Sequence, residues 1–313
     1  MGDRIRLTPL LPHFAARVEG VDLRHVDDAT FAQIFDAFQE HSVLVFHDQR
    51  LTDAEQMAFS RRFGPLEQTI KAPGKENRHH PNLVDLSNLD PDDGRRLIDW
   101  NDRRMIYQSG NQLWHSDSSF KPVPAMASLL SAREVPPVGG ETEFASMRHA
   151  WATLPEAQRR WLEGKVAVHS ILYSRHTIAP NLFDPDQAEE LPPVRQALVR
   201  ANPVNGRRSI YIGSHAWYIE GVPYDESRRV LDKLLAHTTR PELVYQHRWK
   251  QWDLVMWDNR CVLHRGRPWD AARHKRVMRR TTVAGEGPTA EPPYARRAPE
   301  WEGIIPEGVG VDR

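Results

Sequence analysis

The chain has 313 residues, 40% of them hydrophobic and 27% charged, with 42 basic residues balanced by 42 acidic ones. That composition supplies a sizeable core and excludes a mostly disordered chain; on length alone it is one large domain or two modest ones. The balance of charge gives no signature of a nucleic-acid or anionic-membrane partner, and the single cysteine, Cys261, excludes an intramolecular disulfide framework or a cysteine zinc site. Residues 1–14 are basic, contain Pro9 and Pro12, and show no apolar run leading to a small-residue cleavage site. No window approaches the roughly 18 apolar residues of a membrane span, so the expected location is the cytoplasm.

In chain order, Asp27 or Asp28 caps a helix whose Phe31, Ile34, Phe35 and Phe38 follow the i, i+3, i+4, i+7 pattern. Val43-Leu44-Val45-Phe46 reads as a buried strand. Thr52 and Glu55 form a capping box for a helix carrying Met57, Ala58 and Phe63, stopped by Gly64. Residues 71–110 are polar, with a turn at Asp90-Pro91-Asp92-Asp93-Gly94, and suit an active-site flap or a plain surface excursion. Strands are expected over 114–120 and 126–130. Pro136-Pro137-Val138-Gly139-Gly140 is a rigid-then-flexible connector into extended structure at 141–144. Helical segments follow near 148–151 and 155–162, and 173–195 reads as a loop-rich insert. Residues 209–212 read as a strand, and 225–237 as a helix with Val230, Leu231, Leu234 and Leu235 on one stripe. Residues 254–257 and 276–283 are extended candidates, and the tail from Gly285 is expected to be peripheral. With no internal repeat or linker, the pattern implies one domain over 1–313, a mainly β sandwich or barrel buttressed by helices.

His115 and Asp117 lie two apart in Trp114-His115-Ser116-Asp117, so on an extended strand both leave the same face. With a distant histidine such as His264 they would hold a metal on three corners and leave positions open, the arrangement used by non-haem iron oxygenases. In a chain with 15 histidines the pair alone is a chance spacing. His79-His80 reads as solvated. His169 and His215 suit a pocket, or a satisfied core histidine and a strand-end polar residue. Arg276 and Arg280 share a face if their segment is a strand. They would then grip two carboxylates in one cavity, that of an oxo-acid co-substrate and that of a primary substrate. By composition alone, a solvated basic strand or a helical turn is the favoured reading. Thr142, Lys71 and Asn111 carry no signal by themselves.

Four stretches, in order, resemble the taurine/2,4-dichlorophenoxyacetate dioxygenase family of Fe(II)- and 2-oxoglutarate-dependent enzymes. They are Trp114-His115-Ser116-Asp117-Ser118-Ser119-Phe120, Pro136-Pro137-Val138-Gly139-Gly140-Glu141-Thr142-Glu143-Phe144, Trp257-Asp258-Asn259-Arg260-Cys261-Val262-Leu263-His264-Arg265-Gly266 and residues 276–282. The likeness runs from about Val18 to Val283 and is nearer the 2,4-dichlorophenoxyacetate branch. It implies a mainly β fold with flanking helices, a cupin-like double-stranded β-helix or jelly roll. It implies His115, Asp117 and His264 as iron ligands, with no catalytic side chain beyond the metal centre. Arg276 and Thr142 would meet the distal carboxylate of 2-oxoglutarate. Arg280 would meet the substrate carboxylate, helped by Lys71 and the amide of Ser118, with Asn111 and His215 beside the pocket.

The implied reaction, with O₂, hydroxylates an aryloxyalkanoate such as 2,4-dichlorophenoxyacetate next to its ether oxygen. The hemiacetal then collapses to a phenol and glyoxylate, with succinate and CO₂ as co-products, a step of aromatic-compound and herbicide catabolism. Phe120, Trp217 and Tyr218 are candidates for an apolar slot. The same mechanism on an alkyl sulfonate, a sulfate ester or another small organic acid is the alternative. A non-catalytic jelly-roll protein is opposed by the complete ligand and arginine set. The resemblance also implies a homo-oligomer with no nucleic-acid or membrane partner. One departure stands out: the interval from His264 to Arg276 is a residue longer than the family pattern, with the insertion placed in residues 268–273.

Overall fold

Side-chain alternation sets the architecture. In the strand Val43–Phe46, Val43 and Val45 face one way and Leu44 and Phe46 the other, and all four are buried. Leu254–Asp258 repeats this, with Val255 and Trp257 opposite Leu254 and Met256. Strands buried on both faces need a cover on each side. The computed structural model, which describes residues 5–68, 80–90, 92–180 and 182–295, shows both covers.

A seven-stranded sheet runs in the order Arg6–Pro9, Ala16–Glu19, Val43–Phe46, Leu254–Asp258, Ala125–Glu134, Val277–Ala284 and Val84–Ser87. Its outer face packs on the helices Asp28–His41 and Asp53–Arg61 through Ile34, Phe38 and Phe59. Its inner face meets an antiparallel sheet of Val244–His247, Thr142–Ser146 and Val262–Gly266. Phe144 and Val262 join Val45, Leu130, Val255 and Trp257 in the core between the sheets. Ala145 and Leu263, their neighbours in sequence, face outward onto the helices Met147–Thr153 and Tyr224–Thr238. Two sheets packed face to face, antiparallel except where Ala16–Glu19 runs parallel to Val43–Phe46, with helices outside, make the mainly β double-stranded β-helix that the sequence resemblance implies. A further sheet of Ala216–Ile219, Val166–His169 and Val194–Ala197 flanks it.

Local signals read from sequence hold where their partners are local. Asp27 accepts the Thr30 N–H at 2.8 Å, and Thr52 and Glu55 form the reciprocal capping box. The second helix closes sooner than expected, at Arg61, because Arg62 and Phe63 turn back to the Phe59 and Ser60 carbonyls. Phe63 still packs edge-on against Phe31, Phe38 and Phe59.

Other expectations change. Residues 114–120 are not a strand: only His115 pairs, in a single bridge to His264, and a turn follows in which Ser118 adopts φ 55°. The region expected to be a loop-rich insert contains the helices Ile171–His176 and Pro185–Glu189, the first capped by Ser170 Oγ accepting Tyr173 N–H at 3.1 Å. The described part of 71–110 holds the strand Val84–Ser87 and the helix Arg103–Ser109. Residues 285–295 lie along Val194–Ala197, where Arg195 N–H donates to Pro293 O at 2.7 Å and Ala295 N–H to Pro193 O at 3.1 Å. No helix among the described residues is long and apolar enough to cross a membrane.

Phe38 is fully buried where the first helix meets the sheet. Phe38→Ala should lower the unfolding free energy by about 3–5 kcal/mol, and Thr52→Ala by about 1 kcal/mol. Urea denaturation checks both; equal midpoints for the two variants would contradict the packing described.

Candidate metal centre

His115 and His264 exchange backbone hydrogen bonds, N–H to carbonyl at 3.0 and 2.9 Å, and this pairing brings their rings to a centroid distance of 4.1 Å. Asp117 reaches them by a turn rather than by strand alternation. Ser116 Oγ donates to the Asn259 carbonyl at 2.5 Å, and the Asp117 N–H donates to Asn259 Oδ1 at 3.1 Å. Asn259 also accepts from Trp257 Nε1 at 2.9 Å and donates to Ser128 Oγ at 2.9 Å, and Ser128 donates to Asp117 Oδ2 at 2.7 Å. Every polar atom of the Asn259 amide thus serves the turn or the carboxylate it presents. Sequence reading found neither partner. Ser128 is one of two serines in a largely apolar strand, and Asn259 sits unremarked inside the Trp257–His264 motif.

One ligand atom from each of His115, Asp117 and His264 lies within 4.8 Å of the others, and all three residues are buried. The Nε2 atoms of His115 and His264 stand 3.9 and 3.6 Å from the Asp117 oxygens. His115 Nδ1 is 2.7 Å from the Leu113 carbonyl. A carbonyl only accepts, so Nδ1 carries the proton and Nε2 keeps a lone pair for a metal. Burial pushes His115 down to about 4 and, with His115 alongside, pushes His264 well below its ordinary value. Burial alone would raise Asp117, but Arg280, the two histidines and Ser128 outweigh it and hold the carboxyl well below the usual range. Two neutral imidazoles and one carboxylate in a dry site fit a divalent cation, and this donor set with open positions fits Fe(II).

A cavity of about 270 Å³ adjoins the triad and is lined by His115, His264, Thr142, Arg276 and Arg280. Arg276 is buried, bonded through Nε to the Gly140 carbonyl at 3.2 Å, with its guanidinium over the Trp269 ring at 5.4 Å. Burial pushes it down to about 10, which leaves it a cation at neutral pH. Gly140 has φ 73°, and a Cβ there would press on the Arg276 side chain at 3.2 Å, so this turn requires glycine. Thr142 Oγ1 accepts from Trp249 Nε1 at 3.0 Å. Arg276 immediately precedes the strand Val277–Ala284 that carries Arg280, and a register shift falls between Val277 and Met278, yet both guanidiniums line the cavity. Residues 268–273, where the longer interval is expected, lead into a turn closed by His274 N–H to Asp270 O at 2.9 Å.

A second cavity of about 110 Å³ opens on the other side of Asp117 and is lined by Ser118, Phe120, Arg175, His215 and Arg280. Arg280 Nη1 donates to Asp117 Oδ1, so this arginine is bonded to a metal ligand as well as facing both cavities. Ser118 Oγ donates to Glu67 at 2.7 Å, and His215 Nδ1 lies 2.8 Å from Ser174 Oγ. Asn111 lines both cavities and accepts from Arg175 Nη2 at 3.2 Å. Lys71 and His79 lie outside the described residues, and His80 is exposed. His169 is a packed core residue, stacked on Tyr211 at 5.5 Å. Of the aromatic candidates only Phe120 lines a cavity. Trp217 and Tyr218 pack with Val168 and Tyr173 instead, and Trp257, Trp269, Leu86 and Leu130 supply the apolar wall.

Comparison with known proteins agrees with this geometry. The family described as "Taurine catabolism dioxygenase TauD, TfdA family" matches residues 6–282. The chain is 44% identical to the alpha-ketoglutarate-dependent 2,4-dichlorophenoxyacetate dioxygenase of Cupriavidus pinatubonensis, over 88% of this chain and 96% of that protein. It is 38% identical to the (S)-phenoxypropionate/alpha-ketoglutarate-dioxygenase of Sphingobium herbicidovorans, over 91% of this chain and 97% of that one. A crystal structure of AAD-2 in complex with Mn(II) and N-oxalylglycine superposes with a TM-score of 0.84 at 42% identity, covering 92% of this chain and 100% of AAD-2.

Because Ser128 and Asn259 hold the Asp117 carboxylate, Ser128→Ala and Asn259→Ala should each weaken metal binding about 10–100-fold. Mn(II) titration followed by electron paramagnetic resonance measures this, and wild-type affinity in both variants would remove them from that role.

Proposed function

Since this chain belongs to the taurine catabolism dioxygenase TauD, TfdA family and is an Fe(II)- and 2-oxoglutarate-dependent dioxygenase, we propose that it cleaves an aryloxyalkanoate of the 2,4-dichlorophenoxyacetate type. The observation that carries this reading is one connected site. The His115, Asp117 and His264 cluster is flanked by the guanidiniums of Arg276 and Arg280 and by an apolar wall. Relatives named for phenoxy acids, more than a third identical along most of the chain, support the substrate class.

His115, Asp117 and His264 would hold the metal. When bound, Fe(II) and 2-oxoglutarate would supply, with O₂ as oxidant, a decarboxylation to succinate and CO₂ that leaves the second oxygen atom of O₂ to hydroxylate a C–H bond. Arg276 and the Thr142 hydroxyl would fix the distal carboxylate of 2-oxoglutarate through charge-assisted hydrogen bonds. Arg280 would take the substrate carboxylate, with the Ser118 amide and Lys71 assisting and Asn111 and His215 closing the pocket around it. Anchored there, the acid presents the carbon next to its ether oxygen, and positioning of this kind is what a rigid two-point grip contributes. Hydroxylation at that carbon gives a hemiacetal that collapses to a phenol and glyoxylate, so ether cleavage needs no hydrolytic residue. Leu86 and Phe120 offer apolar surface to the ring. Assembly as a homo-oligomer belongs to the same reading and rests on the family likeness.

A panel of aryloxyacetates, aryloxypropionates and alkyl sulfonates, assayed for succinate and phenol, tests the substrate class. Sulfite release from sulfonates without phenol from any phenoxy acid would overturn it. Arg276→Ala should raise the KM for 2-oxoglutarate about 10²-fold, and Arg280→Ala that for the acid by a similar factor. Equal losses for both compounds in Arg280→Ala would show the two roles wrongly divided. Sedimentation equilibrium decides the assembly state, and a monomer mass would end that part of the reading.

A further inference from the structure

The second cavity holds a cation that the reaction as described does not use. Arg175, on the helix Ile171–His176, is only 4% exposed and lines the cavity with Arg280, His215 and Phe120. Its guanidinium lies over the Tyr107 ring at 4.9 Å and against the backbone of Gly110, where any Cβ would collide with it. Nη2 donates to the neutral Asn111 amide at 3.2 Å and the neutral Tyr107 hydroxyl is its other polar neighbour, while Nε and Nη1 are buried and make no hydrogen bond among the described residues.

The carboxylates on the cavity wall already hold other partners, although Glu67 Oε1 has none of its own. Asp117 accepts from Arg280 and Ser128, and Glu67 accepts from Ser118 at 2.7 Å and Lys121 at 2.5 Å. Neither is hydrogen-bonded to Arg175. A buried guanidinium retains its proton, so its charge must be balanced by an anion or remain uncompensated. Arg280 commits Nη1 to Asp117 and leaves a buried Nε unpaired, while Arg175 leaves both Nε and Nη1, so the two guanidiniums in this cavity together have donors to spare. The four lone-pair positions of a carboxylate can take donors from two arginines at once.

We propose that Arg175 is a second substrate-recognition residue, sharing with Arg280 the anionic group of the organic acid. The inference rests on the reading of the site as one for such an acid. Two guanidiniums on different elements, one on a helix and one on the strand Val277–Ala284, fix the plane of the carboxylate as well as its position. Arg175 therefore sets preference for charged acids over their neutral analogues and orients the carbon beside the carboxylate.

The test uses the full-length protein loaded with Mn(II) and N-oxalylglycine, so that binding is read without turnover. Phenoxyacetate, phenoxyacetamide and hexyl sulfate are dialysed to equilibrium against wild type, Arg175→Gln, Arg175→Lys and Gly110→Ala. Arg175→Gln should lose phenoxyacetate affinity about 10-fold or more while binding phenoxyacetamide and N-oxalylglycine as wild type does. Arg175→Lys should recover part of the loss. Gly110→Ala, whose methyl displaces the guanidinium, should repeat the selective loss and serves if Arg175→Gln does not fold. Unchanged phenoxyacetate binding, or equal loss of the acid and the amide, would overturn the assignment and leave Arg175 a packing residue. If wild type prefers hexyl sulfate, the aryloxyalkanoate reading fails alone, and the same ratio taken with hexyl sulfate tests Arg175. Binding of neither anion by wild type overturns both.

Discussion

Asp117 has to stay ionised although it is almost wholly buried. A lone carboxylate in such a place would take up a proton rather than remain charged. Here Arg280 supplies the opposing charge, Ser128 a hydrogen bond, and the His115 and His264 rings stand within 4 Å of its oxygens. The arrangement around it follows from that need. Asn259 fixes the backbone of Asp117 and the hydroxyl of Ser128, and Trp257 fixes Asn259 in turn. Through these bonds the centre is braced by the large sheet, although Asp117 itself belongs to a turn.

The two sheets divide the work. The small sheet contributes His264 and Thr142, and the large one contributes Ser128 and Arg280, so the cavity lies where their inner faces meet. Phe144 and Trp257 pack on each other between the sheets at 5.5 Å and also lie against the His264 ring, at 6.3 and 4.5 Å. The hydrophobic core and the metal-ligand cluster are thus continuous. Changes in core volume here are felt as displacement of a ligand, because packed interiors transmit strain.

Sequence legibility tracked the distance over which partners are found. Capping at Asp27 and Thr52 is decided within three residues and was read correctly. So was the helix bearing Leu231 and Leu234, whose stripe is a local periodicity. The strand Val84–Ser87 has no such pattern, because it is a partly buried edge defined by pairing with Val277–Ala284. The ligand trio was identified correctly on a wrong premise: a bridge and a turn, not alternation along a strand, bring His115 and Asp117 together. Ser128, Asn259 and Arg175 escaped notice because each takes its meaning from a residue distant in sequence. Trp217 and Tyr218 misled for the opposite reason, since an aromatic pair looks alike whether it lines a pocket or fills a secondary core.

The hydrogen bond from Trp249 to Thr142 has a direction, and direction carries information. An indole nitrogen can only donate, so the Thr142 oxygen spends one of its two lone pairs on Trp249 and keeps its own proton to give elsewhere. Arg276 beside it also offers protons and nothing else. Where Arg276 and Thr142 meet the cavity, donors therefore outnumber acceptors. A terminal carboxylate would suit such a wall better than the corresponding amide, which brings donors of its own. The indole, by occupying one lone pair of Thr142, would add to that bias without lining the cavity itself.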